Sequence, residues 1–198
     1  MESSTFRFSA DANTDIWKKP PSHDVFTAPY RTHSRNPTAS FLSAALSFTA
    51  TYTLQFDQAG ILLVFRNTTS DTPASRKWIK AGIELFDDAP RLSTVCCDAW
   101  ADWSVAPAPA ADDVRRGSAS VTVSVEREDG ATGSSLWIHH VGDAGRKTPM
   151  REVCWPFGDA AAEGWELEVA AAIARPAKDT ADKLEASFDN FVVKWKDD

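Results

Sequence analysis

The sequence predicts an all-β protein, a two-sheet antiparallel β-sandwich, and three observations carry that prediction. Apolar residues recur with a period of two in segment after segment, the pattern of strands with one buried face. Turn-forming residues separate those segments at short intervals, and helical periodicity is scarce. With 198 residues and 43% hydrophobic content, the chain is long enough to bury about 70% of its unfolded surface without staples. It reads as one domain over 1–198, with an irregular N-terminal segment over about 1–40.

The elements follow in order. Pro20 to Pro37 reads as a long irregular stretch that either covers a groove mouth or wraps the sandwich. Phe48, Ala50, Tyr52, Leu54 and Phe56 alternate with Thr49, Thr51, Thr53 and Gln55, an amphipathic strand rich in β-formers. Ile61 to Phe65 is a continuous apolar run suited to a central strand, entered at Asp57-Gln58. From Trp78 to Phe86, Ile79, Ala81, Ile83 and Leu85 make one face, and Trp78, Lys80, Gly82, Glu84 and Phe86 the other. Asp87-Asp88-Ala89-Pro90 is a turn, with 91–97 as the returning strand. The Pro- and Ala-rich segment 106–117 is expected as a surface loop. Val121, Val123 and Val125 form the next strand, which Glu128-Asp129-Gly130 turns back into 135–141. Residues 159–163 suit a turn of helix, and Trp165, Leu167, Val169, Ala171 and Ile173 alternate again. A polar loop over 176–183 leads to Leu184, Ala186 and Phe188. These give way to Phe191, Val193 and Trp195, and the change of phase at Asp189-Asn190 predicts a β-bulge.

Charge and cysteine usage exclude several classes. A net charge of −7 and a pI near 5.1 argue against nucleic acid or an anionic membrane as partner, since both require a basic face. The three cysteines are odd in number, and the vicinal Cys96-Cys97 cannot form a relaxed disulfide, which favours a reducing compartment. The opening residues lack the apolar core of a signal peptide, and no apolar run approaches a membrane span, so a cytoplasmic location is expected. The sequon Asn67-Thr68-Thr69 is then unused.

Familiar catalytic templates are missing. The paired-carboxylate strand E-x-D-x-E of sandwich glycanases does not occur, nor do G-x-S-x-G, H-E-x-x-H, a P-loop or G-x-G-x-x-G. Zinc-type Cys/His spacing is absent, and His139-His140 on a strand would point to opposite faces, so neither metal nor cofactor is expected. What remains is an unusual strand face. Trp, Lys, Glu and Phe around a glycine look like the lining of a groove, and Gly60 lies on the corresponding face of the preceding strand. Two small residues on neighbouring strands open a floor for a ligand, or simply allow close packing. Lys80 and Glu84 share a face but sit about 13 Å apart along it, too far for a direct ion pair; they read as ligand contacts or as parts of a salt-bridge network. Gln58 shares the groove-facing parity. Arg151 can clamp an anion bidentately or anchor Glu84. Trp103 and Trp155 are stacking surfaces or core fillers.

Several of these segments carry a resemblance. DQAGILL at 57–63, WIKAGIEL at 78–85 followed by a turn and PRLS at 90–93, DWS at 102–104 and REVCWPF at 151–157 together resemble the DUF1349 family, which includes fungal regulation-of-enolase-type proteins. Asp15-Ile16-Trp17-Lys18 is similar to that family's D-F-W-R opening, with Ile for Phe and Lys for Arg. Ala99-Trp100 stands where smaller residues are expected ahead of DWS. The resemblance spans about 15–157 and implies a concanavalin A-like jelly roll, whose concave face commonly binds ligand; it implies no established activity.

Two functions fit. One is a small-molecule binding or regulatory protein that holds a sugar or similar polar metabolite on the concave face through Gln58, Trp78, Lys80, Glu84, Trp103, Arg151 and Trp155. The other is a cofactor-independent lyase, isomerase or cyclase, as in fungal secondary metabolism, in which Lys80, Glu84 and Arg151 move protons and stabilise charge. Either way the partner is a small molecule.

Overall fold

The computed structural model describes residues 5–70, 72–73 and 75–196. In chain order its first strands are β1 (Phe6–Ala10), β2 (Ile16–Lys19), β3 (His23–Phe26), β4 (Tyr30–Pro37), β5 (Phe41–Ala50), β6 (Gln58–Asn67) and β7 (Lys77–Phe86). There follow β8 (Ala89–Cys97), β9 (Ala101–Pro107), a short helix α1 (Ala111–Arg116), β10 (Val121–Gly130), β11 (Gly133–Val141), β12 (Lys147–Val153), β13 (Trp165–Ala174) and β14 (Leu184–Trp195). One six-stranded antiparallel sheet has the order β1-β14-β5-β10-β11-β12, and the other β4-β13-β6-β7-β8-β9. This is the two-sheet antiparallel sandwich that the alternation predicts, in the jelly-roll form that the resemblance implies. No described helix is long and apolar enough to cross a membrane.

The sandwich interior is filled by one parity from each sheet. Phe48, Val123, Val125, Ile138 and Phe188 face Ile61, Leu63, Phe65, Ile79, Ile83 and Val169, all essentially sealed from solvent. Burial on this scale, at about 25 cal/mol per Å² of apolar surface, is the main force holding the sheets together.

The other parity of the second sheet is buried too, under different cover. Leu62, Val64, Trp78, Val95, Cys97, Ala170 and Ala174 form a second apolar cluster with Ile16 and Ala28. The β2–β3 hairpin, paired from Ile16↔Phe26 to Lys19↔His23, lies over them. A two-stranded hairpin is marginal alone; here the outer cluster holds it. The stretch expected to be irregular thus contains four strands. Their polar, half-exposed alternation, as in YRTHSRNP of β4, gives weak periodicity because only one side packs.

Two further expectations change. The strand anticipated over 48–56 ends at Ala50, and residues 54–57 make a tight turn in which Phe56 has φ +68°. The segment 106–117 holds the end of β9 and α1 rather than loop alone. The expected bulge is present: pairing of β14 with β5 shifts between Asp189 and Val192, with Asn190 at φ +49°.

Candidate functional site

The groove side of β6, β7 and β8 is set by register. Gln58 pairs with Glu84, Gly60 with Gly82 and Leu62 with Lys80; across the next ladder Gly82 pairs with Ser93, and Lys80 with Val95. Trp103 of β9 lies opposite Val95. Opposed residues share a face, so Gln58, Lys80, Glu84, Ser93 and Trp103 emerge together beside the apolar cluster under the hairpin. The two glycines are required by backbone proximity. A Cβ on Gly60 would strike the Ala81 carbonyl and come within 2.8 Å of the Gly82 Cα, and one on Gly82 would strike the Ala59 carbonyl.

A pocket of about 290 Å³ opens there, lined by Asp15, Trp17, Phe56, Lys80, Glu84 and Trp103. Two hydrogen-bonded chains organise it. In the first, Lys80 Nζ donates to Gln58 Oε1 at 2.6 Å and lies 3.5 Å from Asp15 Oδ1, to which Gln58 Nε2 donates at 3.3 Å. The Ile16 amide also donates to Asp15 Oδ1, at 2.8 Å. All three donors converge on Oδ1, and no described residue bonds Oδ2. In the second chain, Trp103 Nε1 donates to Ser93 Oγ at 3.0 Å, and Ser93 Oγ donates to Glu84 Oε2 at 2.7 Å. Trp103 also meets Phe86 edge-on at 4.9 Å and Phe56 at 6.4 Å, which fixes its ring plane.

Electrostatics follow from burial. Glu84 is only 6% exposed, and desolvation pushes its carboxyl above the ordinary carboxylate range against the opposing pull of Lys80 and the Ser93 hydroxyl. Desolvation likewise pushes the Lys80 amine down, opposed by Asp15 and Glu84. The two are not ion-paired. Each is held by other partners on one wall of the pocket.

The loops that complete the wall are tied by a buried ion pair. Arg175 Nε and Nη2 bond Asp57 Oδ1 and Oδ2 at 2.8 and 2.7 Å, with Arg175 2% exposed and Asp57 fully buried. Asp57 Oδ2 accepts the amides of Thr53 and Leu54 at 3.0 and 2.9 Å, which shapes the turn carrying Phe56. Arg175 also accepts the Thr14 amide on its carbonyl and donates its own amide to Thr14 Oγ1, next to Asp15. One residue therefore fastens both segments that close the pocket.

Of the residues singled out from sequence, Gln58, Lys80, Glu84 and Trp103 meet at this site. Trp78 lies beneath the hairpin at 1% exposure, in contact with Lys80 as a cation–π partner at 5.9 Å. Arg151 does not reach the pocket: β12 belongs to the opposite sheet, and its guanidinium bonds the Asp102 carbonyl and carboxylate at 3.1 and 3.0 Å. Asp102 and Trp103 are adjacent on a strand, so they project to opposite faces. Trp155 packs edge-on against the core residue Phe65 at 5.1 Å, away from the groove. Asp15, Trp17, Phe56 and Ser93 complete the site without having been singled out as lining. Asp15 and Trp17 sit in the DIWK motif, and Ser93 in PRLS; the turn at 87–90 fixes the register that would have placed Ser93 beside Gly82. Phe56 was hidden by an alternation that continues past the strand end.

The fold and pocket together define a jelly-roll β-sandwich with a walled site on the outer face of one sheet. The chain belongs to the family described as protein of unknown function (DUF1349), which it matches over residues 1–195. It is 36% identical over 192 residues to an uncharacterized protein of Emericella nidulans, covering 97% of this chain and 87% of that one. Among solved structures, a functionally unknown protein from Saccharomyces cerevisiae superposes with a TM-score of 0.73 at 21% identity, over 96% of this chain and 88% of that one. An alginate lyase from Klebsiella pneumoniae superposes at 0.52 and 10% identity, over 80% and 61% of the two chains. The structural likenesses are likenesses of fold.

Proposed function

We propose that this protein binds a small, sugar-like polar metabolite in the pocket between β6–β9 and the N-terminal hairpin. The observation that carries the reading is the pairing of an indole ring held in place, Trp103, with polar groups from Asp15, Lys80 and Glu84 lining the same cavity. Aromatic faces stack on the apolar side of a sugar ring, while carboxylates and amines take its hydroxyls. A fold shared with an alginate lyase is compatible with this reading.

A second reading, a cofactor-independent enzyme, is favoured by one observation: Glu84 and Lys80 have their proton affinities shifted by the same burial within one pocket. Arg151 has no part in it. Thermal-shift screening of sugars and metabolite extracts, followed by calorimetry, tests the first reading. Trp103→Ala is expected to weaken binding at least tenfold while the fold persists, and unchanged affinity would refute the stacking role. Lys80→Met and Glu84→Gln separate the readings: a binder loses affinity modestly, whereas an enzyme loses turnover and keeps much of its binding.

A further inference from the structure

Resting on the binding reading above, we infer that the pocket selects an uncharged or amine-bearing polyol and rejects ligands carrying a carboxylate or phosphate. The ionisable groups lining the cavity are two carboxyls and one amine, Asp15, Glu84 and Lys80, with no arginine. The amine is already engaged. Lys80 Nζ is bonded to Gln58 Oε1 and stands 3.5 Å from Asp15 Oδ1, so an incoming anion competes with Asp15 for a cation whose charge is balanced. The same anion meets Glu84, whose hydrogen-bonded chain through Ser93 and Trp103 is neutral and whose cross-strand partner Arg91 turns its Nε to the Phe86 carbonyl.

The hydrogen-bonding polarity points the same way. Most donors at the site are spent inward: Gln58 Nε2 goes to Asp15 and to the Phe56 carbonyl, Ser93 Oγ to Glu84, Trp103 Nε1 to Ser93, and Lys80 Nζ gives two of its three N–H to Gln58 and Asp15. Acceptors remain, Asp15 Oδ2 foremost, since its three bonds all fall on Oδ1. A site whose carboxylate acceptors outnumber its remaining donors favours a ligand rich in O–H or N–H groups. Its lining includes the aromatic rings of Trp17, Phe56 and Trp103, whose π faces favour cations and polarised C–H groups over anions. The protein's net charge of −7 adds to the bias at a distance.

The test is calorimetry at pH 7 on the full chain with matched ligands on gluco, galacto and manno rings: the methyl glycoside, the 2-amino sugar and the uronate. Within the ring series that binds, the amino sugar and glycoside are expected to bind at least tenfold more tightly than the uronate. Asp15→Asn and Glu84→Gln should each narrow that gap threefold or more, because each removes one repelling charge and keeps the side-chain shape. A uronate that binds as tightly as its neutral partner, or a gap unchanged in both variants, overturns the inference and leaves the binding reading standing. Absence of binding across all nine ligands counts instead against the sugar-like reading itself.

Discussion

At Glu84 a carboxyl is held in a nearly sealed wall and accepts a hydrogen bond from the Ser93 hydroxyl. Its pKa in the folded protein lies above the ordinary 4.5. The folded state therefore holds this proton more tightly than the unfolded chain. The associated stability is fully present below about pH 4.5 and is lost as pH rises through the folded pKa. Lys80 has the opposite sign: its folded pKa lies below 10.5, so its contribution is present above that value and is lost as pH falls through the folded pKa. Glu84→Gln keeps an acceptor for Ser93 and removes the titration. Its melting temperature relative to the parent should rise between pH 4.5 and 7.5, by about 2–4 °C if roughly 1 kcal/mol is recovered. Thermal melts across that range decide it; a difference that does not vary with pH would show that Glu84 titrates alike in both states.

The elements that frame the pocket depend on two features with little margin. The Asp57–Arg175 pair is buried, and removal of one partner leaves the other charge uncompensated at about 3–5 kcal/mol. Arg175→Met should lower the melting temperature by roughly 10 °C, and adding Asp57→Asn to it should recover part of the loss. A double-variant cycle in which the two effects simply add would show that the pair is not coupled. At the Gly60–Gly82 contact, Gly82→Ala forces a methyl into the Ala59 carbonyl. A cost of about 3 kcal/mol or more is expected, at the upper end for overpacking, and a melt within a degree of the parent would contradict it. Here the limits of the sequence are visible. Alternation identified β7 and the polarity of its groove face, because a period of two is local. The glycines could be read as floor or as close packing, and only the cross-strand register separates those. The turn at Phe56 is not legible in the local sequence because its cause, Asp57 accepting two amides and the guanidinium of Arg175, is non-local. Arg151 and Trp155 were misdirected for the same reason: strand parity says which residues share a face, and never which sheet the strand joins.

Across the whole molecule, the second sheet is covered on both sides, by the partner sheet on one and by the β2–β3 hairpin on the other. The two apolar clusters are separate, so disturbing one need not dissolve the other. Ile16→Asp, at a position 1% exposed beneath the hairpin, should release the hairpin from Leu62, Val64 and Trp78. Binding of a hydrophobic-surface dye should increase and the proposed ligand binding should be lost, while far-ultraviolet circular dichroism and a cooperative melt are retained. Loss of all cooperative unfolding would show that the outer cluster is part of the sandwich core. The double role of Arg175 also bears on the order in which a ribosome delivers the pocket. Asp15, Phe56, Lys80 and Trp103 are all made before Arg175, the fastener that holds the first two in place. Until then the Thr14–Asp15 segment and the turn at Phe56 lack the residue that ties them together. A chain halted before residue 175 carries every lining residue of the pocket and lacks the fastener of two of its segments.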